Sequence, residues 1–195
     1  QMNFGFGEGM ISSRTANLAW IKLGLFHLKE HGTGIVILPM SSLFNSSENG
    51  LRQYLIESGQ VQAIIGLPGN LLLYSGVSVC IWVVNKNSAP ARRDILLIDA
   101  SNYKVGTNDS QLVSQIGTVV ESHREGGFLK DSDFFDFIVV SQEKIRGEEY
   151  SLQPSRFLFE RSKEGEDYEG YSELGSVLSR PKFDSSEALT VAVKK

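Results

Sequence analysis

The 195-residue sequence holds one cysteine, Cys80. A single thiol cannot build a disulfide framework within one chain, and no cysteine cluster is present to hold a metal. Cys80 lies in the apolar run Val77–Val84 and reads as a buried thiol in a reducing compartment, so the cytoplasm is the expected location. Histidine is equally sparse: His27, His31 and His123 are scattered without ligand spacing, and no metal site is expected. No apolar run approaches the roughly 20 residues of a membrane span, and the N-terminus shows no signal-peptide pattern. Positive charge is also short. Nineteen Lys and Arg face 23 Asp and Glu, a formal net charge of -4. A domain that grips DNA unaided neutralises phosphates with Lys and Arg, so the charge balance excludes a free-standing DNA-binding module while leaving room for a local basic patch. There is no Pro-Pro pair anywhere. Phe4-Gly5-Phe6-Gly7-Glu8-Gly9 is rich in glycine, but no strand precedes it, and it reads as a loop rather than a phosphate or cofactor cradle. No internal repeat is visible.

What is present is ordinary for a globular protein: 41% hydrophobic and 22% charged residues, enough for one domain and a tail. Leu18, Ile21, Leu25 and Leu28 recur at helical spacing, which predicts an amphipathic helix capped by Ser13 or Thr15 and ended by Gly32. Gly34–Pro39 is a short apolar run closed by proline and predicts a strand buried on both faces. A second helix is expected over Glu48–Ser58, with Leu51, Leu55 and Ile56 inward, then a strand over Val61–Leu67. Two strands flanking a helix are expected to be parallel in one sheet. The link Pro68–Gly76 is too short for a crossover helix and rich in turn residues, so Val77–Val84 is predicted to run antiparallel to Val61–Leu67. Ile95–Ile98 is a further strand ending at Asp99, Ser110–Arg124 a third helix, and Ile138–Val140 a short strand. Ser141 is placed to cap a short helix through Ile145. Trp20 and Trp82 both read as core packing. Asp99 reads as a turn residue. The charged stretch Lys163–Glu169 reads as a linker.

The wording of these segments is more specific than their order. Thr15-Ala16-Asn17-Leu18-Ala19-Trp20, Gly34-Ile35-Val36-Ile37-Leu38-Pro39, Leu51-Arg52-Gln53-Tyr54-Leu55-Ile56-Glu57, Ala63-Ile64-Ile65-Gly66-Leu67-Pro68 with Asn70, Val79-Cys80-Ile81-Trp82-Val83-Val84-Asn85-Lys86, Ile95-Leu96-Leu97-Ile98-Asp99-Ala100-Ser101 and Tyr150-Ser151-Leu152 with Ser155-Arg156-Phe157 stand in one order. In that order they resemble the C-terminal part of the modification subunit of type I restriction-modification systems, N-6 adenine DNA methyltransferases. The resemblance covers roughly Phe4 to Leu158.

It implies an α/β fold: a partial Rossmann-like methyltransferase sheet, parallel strands plus a terminal antiparallel hairpin, with a helical C-terminal extension. The implied divisions are 1–105 for the later half of the catalytic domain, 106–160 for the helical extension and 161–195 for linker and tail. It implies S-adenosylmethionine as cofactor of the intact parent enzyme, and DNA and a specificity subunit as its partners. The family's catalytic loop, Asn or Asp followed by Pro-Pro and an aromatic that stacks on the flipped adenine, has no counterpart here, so no catalytic or cofactor-binding residue is expected in this chain. The resemblance assigns the loop Pro68, Gly69, Asn70, Leu72 and Tyr74 to the wall against which the flipped base packs. Leu72 and Leu73 stand where the family has an aromatic pair, which weakens stacking unless Tyr74 substitutes. Candidate phosphate contacts are Arg52, Lys86, Arg92 and Arg93. The expectation is a fragment inactive alone; the alternative is a non-catalytic assembly module that docks on a specificity subunit or a separate N-terminal half. In the family a catalytic-loop strand lies beside Gly34–Pro39. Without that neighbour the edge is expected to self-associate. The family's order places Val77–Val84 between the other two strands and leaves Ile95–Ile98 either at an outer edge or outside the sheet.

Overall fold

Val, Ile and Leu dominate the four runs that the sequence marks as strands, and β-branched side chains favour a pleated, packed surface. In the computed structural model these runs form one sheet with a fifth strand. The structure describes residues 16–69, 71–72, 75–86 and 94–165, the side chains of 162–165 excepted. The chain divides into two units, Gln1–Glu160 and Arg161–Lys195. The elements, in order, are α1 (Asn17–His27), β1 (Thr33–Pro39), two 3-10 turns (Met40–Leu43 and Ser46–Glu48), α2 (Asn49–Glu57), β2 (Val61–Gly66), β3 (Val79–Asn85), β4 (Ile95–Asp99), α3 (Asp109–Glu125), β5 (Asp136–Val140), α4 (Gln142–Gly147) and α5 (Pro154–Gly165).

The strand order is β1-β3-β2-β4-β5. Strand β3 runs antiparallel to both β1 and β2 and lies between them, as expected from the short link after β2. Strands β1 and β2 therefore share a direction without touching. Strand β4, whose position the sequence left open, pairs parallel with the outer edge of β2, and β5 closes that side antiparallel to β4. The sheet is thus mostly antiparallel, with one adjacent parallel pair. The stretch expected as a helical extension contributes this edge strand as well as helices.

Each face of the sheet has its own core. On one face Leu18, Ile21 and Leu25 of α1 and Leu51, Leu55 and Ile56 of α2 pack on Ile64, Trp82 and Leu97, joined by Ile145, Leu152 and Phe157 from the C-terminal segment. On the other, Leu112 and Val119 of α3 pack on Ala63, Ile65, Val83, Leu96 and Ile98. Strands β2, β3 and β4 are covered on both faces, which is why their sequences are almost unbroken apolar runs.

Strand β1 differs from expectation. It is an edge strand with one face open: Ile35 is 70% and Ile37 61% exposed. An apolar run has no alternation from which to read a missing layer, and α3 covers only the far side of its face. Trp20 is likewise 63% exposed, against its core reading, whereas Trp82 is fully buried and donates its indole N–H to Ser42 Oγ at 3.1 Å.

Helix α1 begins at Asn17 with no cap from a local side chain. Ser13 and Thr15 lie outside the described residues. The cap comes from far along the chain: Glu48, 4% exposed, accepts the backbone N–H of Leu18 at 3.0 Å and the Asn17 amide at 3.2 Å. A carboxylate on the first turn satisfies orphan donors and complements the helix dipole. The helix closes at His27, before the expected Gly32. Ser141 caps α4 through the Lys144 N–H at 3.3 Å, as expected.

Candidate nucleic-acid interface

Strands β1, β2 and β4 all point the same way, so their carboxyl ends bring three loops together. The loop after β2 starts at Leu67, whose N–H bonds Val79 O at 3.2 Å; the chain after β1 is pinned beside it by Met40 N–H to Ser78 O at 2.9 Å. Asp99, ending β4, accepts the Ser101 N–H at 2.9 Å, the turn role expected of it. In open α/β sheets, ligand sites gather at such carboxyl ends.

Of the expected base-side residues, Pro68 is buried, Gly69 is exposed and Leu72 is 43% exposed; Leu71 beside it is 41% exposed. The Leu72 carbonyl accepts the Ser75 N–H at 3.2 Å, which turns the chain back toward β3. Asn70 and Tyr74 lie outside the described residues. What this loop presents in the described part is aliphatic. Leu71 and Leu72 offer apolar contact without the ring stacking that an aromatic pair supplies.

The candidate phosphate contacts divide. Arg92 and Arg93 lie outside the described residues. Arg52 is not on a solvated face: it is 2% exposed. Its Nε donates to Tyr150 O at 2.7 Å, Nη1 to Asn45 O at 3.0 Å and Ser42 O at 3.4 Å, and Nη2 to Asn49 Oδ1 at 3.0 Å. Burial pulls its pKa down to about 10, partly offset by Glu48. The guanidinium is committed to acceptors of the fold, and α2 sets Arg52 on its buried side with Leu51, Leu55 and Ile56. Lys86 is similarly engaged, donating Nζ to Leu28 O at 2.7 Å and Phe26 O at 3.2 Å. It satisfies orphan carbonyls at the C-terminus of α1.

Sequence reading missed the group that Arg52 organises. Glu48 and Arg52 stand four residues apart, a spacing that signals a charge pair, and together they tie α1, the chain after β1 and the turn after α4. That turn is unusual: Glu149 and Tyr150 are both left-handed, with φ of 52° and 60°. Tyr150 OH donates to Glu57 Oε1 at 2.6 Å. This bond, with one from Gln53, lowers the Glu57 pKa and raises that of Tyr150.

A cavity of about 400 Å³ opens where β4 meets β5, lined among others by Asp99, Tyr103, Lys104, Asp133 and Asp136. Its carboxylates suit it poorly to a phosphate backbone. Among the described residues no group of three or more His, Cys, Asp and Glu is arranged to hold a metal. No described helix is long and apolar enough to cross a membrane. No described connection forms a glycine-rich turn from strand into helix: residues 40–48 between β1 and α2 contain no glycine.

Comparison with known proteins agrees with this geometry. The chain is 22% identical over 192 residues to the type I restriction enzyme HindI methylase subunit of Haemophilus influenzae, covering 92% of this chain and 42% of that protein. It is 27% identical over 150 residues to the MpnII methylase subunit of Mycoplasma pneumoniae, covering 73% and 26%. The chain thus spans less than half the length of these curated relatives. The solved type I restriction-modification methyltransferase subunit of Streptococcus thermophilus superposes with a TM-score of 0.60 at 29% identity, over 73% of this chain and 30% of that one. These likenesses bear out the resemblance to type I modification subunits. The family model N-6 DNA Methylase matches residues 1–166, which takes in all five strands and all five helices, and the chain belongs to the N-6 DNA methylase family.

Proposed function

We propose that this chain supplies the target-base side of a type I adenine-N6 DNA methyltransferase and is inactive alone. In the intact enzyme the methyl group would pass from S-adenosylmethionine to adenine N6, with a specificity subunit choosing the DNA sequence. The observation that carries the reading is the sheet itself: a family match across every strand, with the outer edge of β1 open.

The usual handedness of crossovers between parallel strands supports this reading. Helix α2 connects β1 to β2, and such crossovers between parallel strands are right-handed. Helix α1 packs on the same face, in the same core cluster. Helices on one face step the chain across the sheet in one direction. A strand leading into α1 therefore lies on the side of β1 away from β2, parallel to β1, along the open edge. That is where a half carrying the Asn-Pro-Pro-aromatic loop would join, bringing its loop to the same sheet end as Pro68, Gly69 and Leu72.

Isothermal titration of the 195-residue chain with S-adenosylmethionine tests the division of labour. No heat of binding is expected; clear micromolar binding would overturn it.

One observation favours a second reading, an assembly module for a specificity subunit or a separate N-terminal half. Arg52 and Lys86, two of the four candidate phosphate contacts, are spent inside the fold. Tight, salt-insensitive binding to a specificity subunit without DNA would favour this reading; salt-sensitive binding to duplex DNA would favour the first.

A further inference from the structure

The base-side loop is closed at its foot by two backbone bonds. Leu67 N–H donates to Val79 O at 3.2 Å, and Met40 N–H donates to Ser78 O at 2.9 Å. The first joins the two strands that the loop connects. The second comes from outside the loop, from the 3-10 turn Met40–Leu43 that follows β1. The Met40 side chain reaches further across the sheet. A Cβ placed on Gly66, the last residue of β2, would stand 3.8 Å from Met40 Cε and 3.7 Å from Asp99 Oδ1. Met40 therefore lies against the carboxyl end of β2, where the loop starts.

The chain after β1 is short and irregular, and its internal bonds are local: Phe44 N–H and Asn45 N–H both donate to Ser41 O. What holds it in place comes from other elements. The Leu43 carbonyl accepts the Leu152 N–H at 3.0 Å. The Ser42 and Asn45 carbonyls both accept from Arg52 Nη1, at 3.4 and 3.0 Å, while Arg52 Nε donates to Tyr150 O at 2.7 Å. A planar guanidinium fixes the directions of several acceptors at once, which an ammonium on a flexible stem does not. Ser42 carries the constraint on to β3, because its Oγ accepts the Trp82 indole N–H at 3.1 Å. One continuous set of bonds thus runs from Arg52 through the turn after β1 to the foot of the base-side loop. Arg52 is 2% exposed and so touches neither a base nor a phosphate itself.

We propose that Arg52 is a positioning residue for the target base: it sets the turn after β1 and, through Met40, the foot of the loop that presents Leu71 and Leu72. The proposal deepens the base-side role and rests on it. Without the guanidinium fork, the carbonyls of Ser42 and Asn45 lose their common donor, the turn loosens, and Met40 no longer holds Ser78. The loop then meets the base in many arrangements instead of one. DNA binding weakens, while the affinity for S-adenosylmethionine, whose site lies outside this network, is unchanged.

The test uses Arg52→Lys, which keeps a positive charge beside Glu48 but lacks the fork. In the 195-residue chain, amide exchange followed by NMR is expected to speed about tenfold at Met40 and Leu67 and to stay slow across β4. In the intact methyltransferase of the proposed reading, assembled with its specificity subunit, the same change is expected to raise KM for plasmid DNA about tenfold and leave KM for S-adenosylmethionine unchanged. A second variant, Met40→Pro, deletes the N–H that reaches Ser78 without touching Arg52. Proline is tolerated at the first residue of such a turn, and Pro39 before it is already extended, with φ of -58° and ψ of 145°. It is expected to raise KM for DNA in the same way. An enzyme that is merely less stable loses kcat and keeps both KM values. That result, or unchanged exchange at Met40 and Leu67, would overturn the proposal and leave the base-side reading standing. A wild-type assembly that does not methylate adenine would overturn the base-side reading, and the proposal with it.

Discussion

Arg52 decides more of this structure than any other polar side chain. It gathers carbonyls from the chain after β1 and from the turn after α4, and the charge of Glu48, the buried cap of α1, partly offsets the cost of its burial. Leaving buried hydrogen-bond acceptors without their donor costs about 1–3 kcal/mol. Arg52→Met is therefore expected to lower unfolding free energy by that amount in urea titration, while Lys86→Ala, which removes only a helix-end contact, costs about 1 kcal/mol or less. Cys80 gives a pH signature. Burial pushes its pKa up to about 11, against hydrogen bonds from Ser42 and Trp82 that act the other way. A raised pKa favours the neutral thiol in the folded state. Its stabilisation is full below the unfolded value near 8.5 and is lost as pH rises toward 11. Thiol reagent at pH 8 should react slowly with the native chain and fast in denaturant; fast native reaction would contradict the burial.

At the scale of elements, the turn between α4 and α5 stores conformational cost. Two successive non-glycine residues in the left-handed region each cost of order 1 kcal/mol or more. Glu149→Gly is expected to raise the thermal midpoint by roughly 2–4 °C, read by scanning calorimetry, since glycine adopts the φ of 52° without the steric cost of a Cβ. Much of the element order was legible: the apolar runs gave β1 to β4, the short link after β2 gave the hairpin, and Ser141 gave the start of α4. What was not legible depended on layers. Nothing in Gly34–Pro39 or around Trp20 tells which covering element is missing, so both read as core and both are exposed. The placement of β4 required the sheet order. The cap from Glu48 required a contact between residues 30 apart in sequence, which local capping rules cannot reveal. For the site, the loop's position was legible from the motif order, but the inward turn of Arg52 and Lys86 was not, because all but one of their acceptors are backbone carbonyls, which carry no residue signature.

On the scale of the whole molecule, the described sheet ends in two edge strands, β5 on one side and β1 on the other. The chain belongs to the N-6 DNA methylase family. The family membership is what the proposal of a base-side role builds on. Incubation of this chain alone with labelled S-adenosylmethionine and duplex DNA should give no methylation. The most direct test is the reading frame immediately upstream of the Gln1 codon. The account predicts that it continues in frame into a strand followed by Asn or Asp, Pro-Pro and an aromatic. An in-frame stop codon upstream, with a start at this point and no such motif, would contradict it.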